Sequence, residues 1–257
     1  MKLKSIGFVG GGRITRIFLQ GLTNKNALPE IVKVFDPNAE TIKALHADFS
    51  EITVAESAAE VATEDIVFIA VHPPVVMETL QAIKESVTED TIVISLAPKI
   101  TIEKMALVLP TQKLARMIPN ATSFINDGYN PLTFSDDFGA KEKKQVFKVL
   151  KKLGKILETE ESKLEAYAIV SAMLPTYFWF QWQEMENIAL ETGLSEKEAR
   201  KAVSSSLKKA WKLYYKSDLN PEEVMDLIPV KPIGENEDEI RDILNTKLIG
   251  LFEKIKP

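Results

Sequence analysis

The feature that most constrains the fold is a short apolar run that ends in three glycines and passes directly into a helical pattern. Residues 4–18 read KSIGFVGGGRITRIF. A strand, a tight turn and a helix N-terminus in that order form a diphosphate-binding turn. Gly10 would allow the tight turn, Gly12 would let the backbone come close to the diphosphate, and the N–H groups at the helix start would face the negative charge. The usual third glycine is Thr15, which adds bulk where the helix packs on the first strand.

A second strand and a carboxylate follow at the spacing that a dinucleotide site requires. Residues 30–35 read as a strand, and Asp36 stands at its end, where it can accept hydrogen bonds from the adenosine ribose. The alternative role for Asp36 is the N-cap of the next helix, because Asp-Pro-Asn is also good turn chemistry. A carboxylate repels a 2′-phosphate and so favours NAD, whereas Arg13 and Lys43 are free to bind phosphate. Both NAD and NADP therefore stay open.

Composition excludes several function classes. The 257 residues are 45% apolar and 27% charged with a net charge of −5, which gives no basic footprint for nucleic acid or an anionic membrane. There is no cysteine and there are only two histidines, so we predict no metal site and a reducing compartment. The N-terminus lacks a signal-peptide pattern and no run is long enough for a membrane span. We therefore expect a cytoplasmic protein.

Apolar runs alternate with amphipathic stretches over the first 158 residues, which is typical of a parallel sheet covered by helices on both faces. The run at 66–71 is continuous enough to be buried on both sides and is expected at the centre of the sheet. The predicted strands are 3–9, 31–36, 52–54, 66–71, 91–95, 113–117, 129–134 and 154–158. The fold class is therefore α/β, with a Rossmann-type, doubly wound and mainly parallel sheet over residues 1–158.

Further candidate residues lie where other strands end. Ala70, Val71 and His72 follow the central strand and should border the same cofactor as the glycine turn. His72 could contact a cofactor or a substrate, or it could be a solvent-facing loop histidine. Asn120 could hydrogen-bond a nicotinamide or a substrate, with plain turn chemistry as the alternative. His46 is expected to be partly buried packing.

The character of the chain changes after Thr159. Helical patterns span 162–192, where Pro175 should kink or split the helix, then 195–216 and 237–255. Residues 177–182 are apolar on every face, which in so small a domain indicates a second subunit, with an aromatic ligand cage as the alternative. Residues 159–257 are therefore predicted to be an all-helical dimerisation domain.

Motifs along most of the chain resemble those of pyrroline-5-carboxylate reductase and, more broadly, of the superfamily that includes the deazaflavin-dependent NADP oxidoreductases. The matching motifs are IGFVGGGRI at 6–14 for the family's GFIGxGNM, AVHP at 70–73 for its AVKP, MIPN at 117–120 for its VMPN, ESKLEA at 161–166, and NPEEV at 220–224 for its PEEL.

The resemblance implies an NAD(P)H-binding N-terminal domain, a helical domain that forms an intertwined homodimer or higher oligomer, and an active site between them. It implies that the cofactor is lined by Gly10, Gly12, Arg13, Ile14, Ala70, Val71, His72, Pro73 and Asn120. To these cofactor residues we add Gly11 of the glycine turn and Asp36 at the end of the second strand. It further suggests that the substrate contacts Asn120, Ser171, Pro175 and Thr176. Hydride transfer needs mainly a positioned acceptor carbon, so no acid–base pair is predicted.

Two departures from the family pattern concern the substrate. Its SGSGPAY appears as SAMLPTY at 171–177, and its SPGGTT is replaced by IPVKPI at 228–233. Losing a hydroxyl and glycine backbone access removes donors for a substrate carboxylate. The leading hypothesis is a reductase of an imine or small carbonyl compound. The alternatives are a dinucleotide-binding sensor without turnover and a deazaflavin-dependent NADP oxidoreductase.

Overall fold

The computed structural model describes residues 4–257, which contain one eight-stranded sheet in the order β3-β2-β1-β4-β5-β6-β7-β8. The strands are β1 Ser5–Val9, β2 Ile31–Phe35, β3 Thr53–Val54, β4 Ile66–Ile69, β5 Ile92–Ser95, β6 Leu114–Met117, β7 Gly128–Phe134 and β8 Gly154–Glu158. Only the β6–β7 pair is antiparallel. The predicted fold class is confirmed. Each predicted strand is present to within two residues at either end, and residue 3 of the first lies outside the described part.

The helices between and after the strands account for most of the remaining chain. They are α1 Arg13–Thr23, α2 Ala39–Asp48, α3 Ala58–Val61, α4 Val76–Ile83, α5 Ile102–Ala106, α6 Ala140–Leu150, α7 Leu164–Tyr167, α8 Leu174–Glu191, α9 Glu196–Lys216, α10 Pro221–Asp226 and α11 Glu237–Ile255. A π-helical turn, Ala168–Ala172, follows α7. Such turns are rare and frequently mark functional sites.

The strand order reverses between β1 and β4, because the chain goes from β1 to β2 on one side and later returns to β4 on the other. The amide of Gly10 donates to the carbonyl of Phe35 at 2.7 Å, and that of Ala70 donates to Val9 at 2.8 Å. These bonds extend the sheet to the carboxyl ends of three adjacent strands. In open α/β sheets the ligand lies in the crevice at such a reversal point.

Three buried phenylalanines pack β1, β4 and α1 together next to this crevice. Phe8 of β1 stacks on Phe68 of β4 with ring centroids 4.9 Å apart, and Phe18 of α1 packs edge-on against both. All three rings are fully buried, and burial of one such side chain contributes about 1.5–3 kcal/mol. The helix that follows the glycines is therefore fixed to the two central strands. All of β4 is buried, as predicted for the centre of the sheet.

One glycine is required by the pairing of two strands. After α6 ends at Leu150, Gly154 opens β8 with φ +136°. A Cβ at Gly154 would collide with the backbone of Gly128 on the adjacent strand. Glycine is needed here for close strand pairing as well as for its backbone angle.

The chain forms two compact units. The first runs to Ala172 and also includes Leu251–Pro257, and the second is Met173–Gly250. The predicted division at residues 158 and 159 was placed where the strands end and stays a prediction.

The helical patterns after residue 159 are present, with an interruption before Pro175. Short turns replace the start of the predicted 162–192 helix, and α8 begins at Leu174 with Pro175 in its first turn. α9 begins with a reciprocal capping box, since the Ser195 side chain accepts from the Glu198 amide and the Glu198 carboxylate accepts from the Ser195 amide.

The second unit buries very little of its apolar surface by itself. Between Met173 and Gly250 only Ala199 is buried, whereas Trp179, Phe180 and Trp211 are 47%, 67% and 55% exposed. Over residues 4–257 no helix is both long and apolar enough to cross a membrane.

Candidate functional site

Gly10 forms the turn at the end of β1 in a way that other residues could not. Its φ is +108°, and a Cβ would lie 2.5 Å from the carbonyl oxygen of Ala70. Thr15, at the position of the usual third glycine, is fully buried, and its hydroxyl donates to the Gly10 carbonyl at 2.5 Å. The extra bulk expected at Thr15 therefore carries a hydrogen bond that holds the turn against α1.

Asp36 lies directly beside the second glycine. One carboxylate oxygen accepts from the Gly11 amide at 2.8 Å, and the other accepts from the Asn38 amide at 2.9 Å. The N-cap of α2 is Asn38, whose side chain accepts from the amides of residues 40 and 41. Asp36 therefore does not cap the helix. Its carboxylate lies at the glycine turn, where an adenosine ribose binds in dinucleotide folds.

Gly12 leaves the start of α1 open. It is the N-cap residue, yet no side chain caps the helix and the first turn holds no acidic residue. The first hydrogen bond within the helix runs from the Arg16 amide to the Gly12 carbonyl at 3.1 Å. The helix itself therefore provides no acceptor for its amides before Arg16. A Cβ at Gly12 would meet nothing within 4 Å. Donors, dipole and free space thus fit an anionic group.

A cavity of about 340 Å³ lies next to this helix start. It is lined by Gly12, Arg13, Ile14, Ala70, Val71, His72, Pro73, Leu96, Ala97 and Pro98. Seven of the predicted cofactor residues are thus brought together around one space. The sequence motifs did not indicate residues 96–98. Their position just after β5, next to the central strand, was the available signal.

A second cavity, of about 680 Å³, lies beside Asp36. Its lining includes Lys43, Val54, Ala55, Glu56 and His46. The expectation that His46 is partly buried is wrong, because its position on α2 faces outward and its side chain is exposed. His72 is also exposed, but it borders the first cavity.

Asn120 is buried and its amide is engaged within the protein. Its oxygen accepts from the amide and hydroxyl of Thr122 at 3.0 and 2.7 Å, and its nitrogen donates to the Ser171 carbonyl at 3.3 Å. The turn-chemistry alternative for Asn120 is therefore present. Asn120 and Ser171, both predicted to contact substrate, lie together, and contact with a cofactor or substrate stays a prediction.

The two hydroxyls predicted to contact substrate donate to backbone carbonyls. Ser171 donates to Tyr167 at 2.7 Å, and Thr176 donates to Met173 at 2.6 Å. Pro175 lies in the first turn of α8. In this arrangement neither hydroxyl proton is free to bind an anion, which agrees with the loss of carboxylate donors inferred from the altered motif.

Comparison with known proteins identifies the relatives of this chain. Residues 5–99 match the family model described as "NADP oxidoreductase coenzyme F420-dependent". Over 241 residues the chain is 27% identical to the pyrroline-5-carboxylate reductase of Escherichia coli (strain K12), covering 93% of this chain and 89% of that protein. The chain is related to the pyrroline-5-carboxylate reductases. The family resemblance predicted from the motifs is confirmed.

Two solved enzymes share the fold over nearly the whole of their chains. The Plasmodium falciparum enzyme, solved with NADP bound, is 20% identical with a TM-score of 0.84, covering 100% of this chain and 98% of that one. The Streptococcus pyogenes enzyme is 16% identical with a TM-score of 0.79 and 98% coverage of both chains. At these identities the likeness establishes the fold alone.

Proposed function

We propose that this protein is an NAD(P)H-dependent reductase of the pyrroline-5-carboxylate reductase type that transfers hydride to an imine or a small carbonyl compound. The observation that carries the proposal is the uncapped start of α1, which opens onto a cavity beside Gly12. The relatedness to pyrroline-5-carboxylate reductases supports the enzyme class. The neighbour with NADP bound supports NADP or NAD as the cofactor.

The residues around the reversal point of the sheet suit the parts of a dinucleotide. The amides at the start of α1 would hold the diphosphate, with Arg13 beside them, and Asp36 would accept from the adenosine ribose. The first cavity, between the ends of β1, β4 and β5, would take the nicotinamide half. When bound, NAD(P)H supplies the hydride.

The chain's own contribution to the reaction is binding, orientation and exclusion of water. The walls formed by Val71, Leu96 and Ala97 are apolar, so they would shield one face of the cofactor from solvent. No acid–base pair is assigned, because a nicotinamide requires mainly a well-placed acceptor carbon. The substrate roles of Asn120, Ser171, Pro175 and Thr176, and the cleft between the domains, remain part of the proposal.

A homodimer through the helical unit, and placement in the cytoplasm, are also proposals. The exposed aromatic surface of α8 and α9 supports the first, since apolar patches of this extent mark interaction surfaces.

Oxidation of NADH and of NADPH at 340 nm with pyrroline-5-carboxylate tests the function, together with calorimetric titration of each cofactor. We expect binding of at least one cofactor and turnover with this substrate or another cyclic imine. Binding without turnover of any imine or carbonyl would replace the reductase with a sensor. The altered 171–177 segment is the observation that favours that alternative.

A deazaflavin-dependent NADP oxidoreductase is the second alternative, and the matching family model favours it over residues 5–99. That range covers the first five strands, which carry the glycine turn and the lining of the first cavity. Reduction of NADP by a reduced deazaflavin, without reduction of any imine, would support this alternative over the main proposal.

A further inference from the structure

Lys99 has a backbone conformation that its side chain disfavours. Its φ is +76°, and the other non-glycine residues with positive φ among residues 4–257 are Asn26 and Asn126. Asparagine tolerates the left-handed region because its short side chain bonds locally, whereas a long lysine side chain gains nothing from it. An exposed position that requires positive φ would ordinarily be filled by glycine. Strain of this kind is concentrated at functional sites.

A buried ionic group holds Lys99 in this conformation. The Lys99 amide donates to the carboxylate of Glu165 at 3.0 Å, and Glu165 is paired with Arg116. The side chains of Arg116 and Glu165 are only 1% and 2% exposed. Arg116 also bonds Glu161 at 3.0 Å, and Glu161 accepts from the Ile102 amide at 2.8 Å. Lys99 and Ile102, the two ends of the segment 99–102, therefore each donate an amide hydrogen bond to a carboxylate. The Arg116 guanidinium pairs with both of these carboxylates.

The segment continues the wall of the first cavity. Pro98, the residue before Lys99, lines that cavity with Leu96 and Ala97. Within the described residues the Lys99 ammonium makes no hydrogen bond or ion pair. A free, exposed cation is thus held at the edge of the space proposed for the nicotinamide half of the cofactor.

A carboxylated imine, one member of the proposed substrate class, would need such a cation. Pyrroline-5-carboxylate is an anion, and the hydroxyl protons of Ser171 and Thr176 are donated to backbone carbonyls. A carboxylate that leaves water without new donors loses more than it gains. An ammonium group supplies three donors and the opposite charge.

We propose that Lys99 binds the carboxylate of the substrate and replaces the donors missing from the 171–177 segment. This inference rests on the proposed reductase function. It accounts for a lysine at a position where glycine would be less strained, and for the buried charges that fix the backbone of Lys99.

Three substitutions separate the charge of Lys99 from its strain. Lys99→Gly removes both, Lys99→Gln removes only the charge, and Lys99→Arg keeps both. Kinetics would be measured with pyrroline-5-carboxylate and with 1-pyrroline, the same ring without the carboxylate. Asn26→Gly is the matched control, because it relieves positive φ in an exposed turn outside both cavities.

We expect Lys99→Gly and Lys99→Gln to raise KM for pyrroline-5-carboxylate about ten- to a hundredfold, the range for a charged hydrogen bond. The values of kcat/KM for 1-pyrroline and Kd for the cofactor should stay within about twofold of wild type. Lys99→Arg should keep most of the affinity. Lys99→Gly should also raise Tm by about 2–4 °C, since it relieves strain in a chain of this size.

Two results would overturn the inference. A higher Tm for Lys99→Gly with an unchanged KM would make Lys99 a strained surface residue only. A loss of 1-pyrroline reduction or of cofactor binding equal to the loss with pyrroline-5-carboxylate would make its role unrelated to the carboxylate.

Binding of L-proline to the cofactor-loaded protein distinguishes failure of this inference from failure of the proposed function. If wild type reduces neither imine but binds proline, and Lys99→Gln abolishes that binding, the anion site stands and the reductase assignment fails. If wild type binds the cofactor but neither reduces an imine nor binds proline, the inference fails as well.

Discussion

At the scale of single residues, the site depends on how a few side chains hold the backbone beside the sheet. The Asp36 carboxylate accepts hydrogen bonds from the amides of Gly11 and Asn38, so it is fixed in place. A fixed negative charge at this position would attract the hydroxyl groups of a bound ribose and repel a phosphate. Lys43 lines the second cavity together with Asp36 and can offset part of that repulsion.

Asp36→Ser should therefore increase affinity for NADPH relative to NADH. The expected change in the ratio of Kd values is at least about tenfold, the effect of about 1.4 kcal/mol of repulsion removed. Calorimetric titration of both cofactors measures it, with Glu40→Ser on the exposed first turn of α2 as the control. An unchanged ratio would mean that Asp36 only supports the glycine turn.

Some of these residue roles could be predicted from the sequence and others could not. The requirement for glycine at residue 10 followed from the strand–turn–helix order, which is local. The bond from Thr15 to the turn depends on a side-chain rotamer, and the position of Leu96–Pro98 depends on which strands become neighbours. The exposure of His46 depends on how α2 is rotated, which a weakly amphipathic helix does not reveal.

At the scale of elements, an ion pair connects β2, the strand next to the edge strand β3, to the chain after α3. The Lys33 ammonium lies 2.7 Å from the Glu64 carboxylate and 3.4 Å from that of Glu60. The hydrogen bond and charge of Glu64 hold the pKa of Lys33 above its ordinary value of 10.5, although partial burial acts in the opposite direction. The Lys33 and Glu64 side chains are only 17% and 7% exposed, so solvent screens the pair little.

Lys33→Met should lower the free energy of unfolding by about 3 kcal/mol at pH 8, because it leaves Glu64 buried without a partner. A group whose pKa is higher in the folded than in the unfolded state stabilises the protein fully at pH values below its unfolded-state pKa. That stabilisation is lost as the pH rises through its folded-state pKa. The difference between wild type and variant should therefore shrink above about pH 10.5. Urea denaturation at pH 8 and pH 11 measures it.

The matched control is Lys155→Met on β8, which is exposed, makes no ion pair among the described residues and lies 5.5 Å from the centroid of the Tyr129 ring. It should change stability by less than about 1 kcal/mol. A difference between wild type and Lys33→Met that stays constant across the two pH values would contradict the assignment of the effect to this pair.

The elements themselves were well predicted because their signals are local in the sequence. The apolar run of β4 and the capping box of α9 each lie within ten residues. The π-helical turn at Ala168–Ala172 was not predicted, since it differs from an α-helix by one hydrogen-bond step and has no composition signal.

At the scale of the whole molecule, the helical unit leaves many large apolar side chains exposed, which favours the proposed homodimer. Phe180 and Trp179 are exposed on α8, and Tyr215 is 63% exposed on α9. Sedimentation velocity should show a dimer or larger oligomer at micromolar concentration. Phe180→Glu should dissociate it without unfolding the first unit, whereas Leu107→Glu, at an 82% exposed site near α5, should leave assembly unchanged. A monomeric wild type would contradict this prediction.

The central claim, that the Gly10–Gly12 turn binds a nicotinamide dinucleotide, is tested most directly by calorimetric titration of NADH and NADPH into wild type and Gly12→Val. A side chain at Gly12 would enter open space, and the backbone angles of φ −74° and ψ −160° suit residues other than glycine. The variant should keep the wild-type Tm to within about 2 °C, because little strain is added. We predict that wild type binds at least one cofactor and that the variant loses this binding. Equal binding by both proteins, or no binding by wild type, would contradict the account.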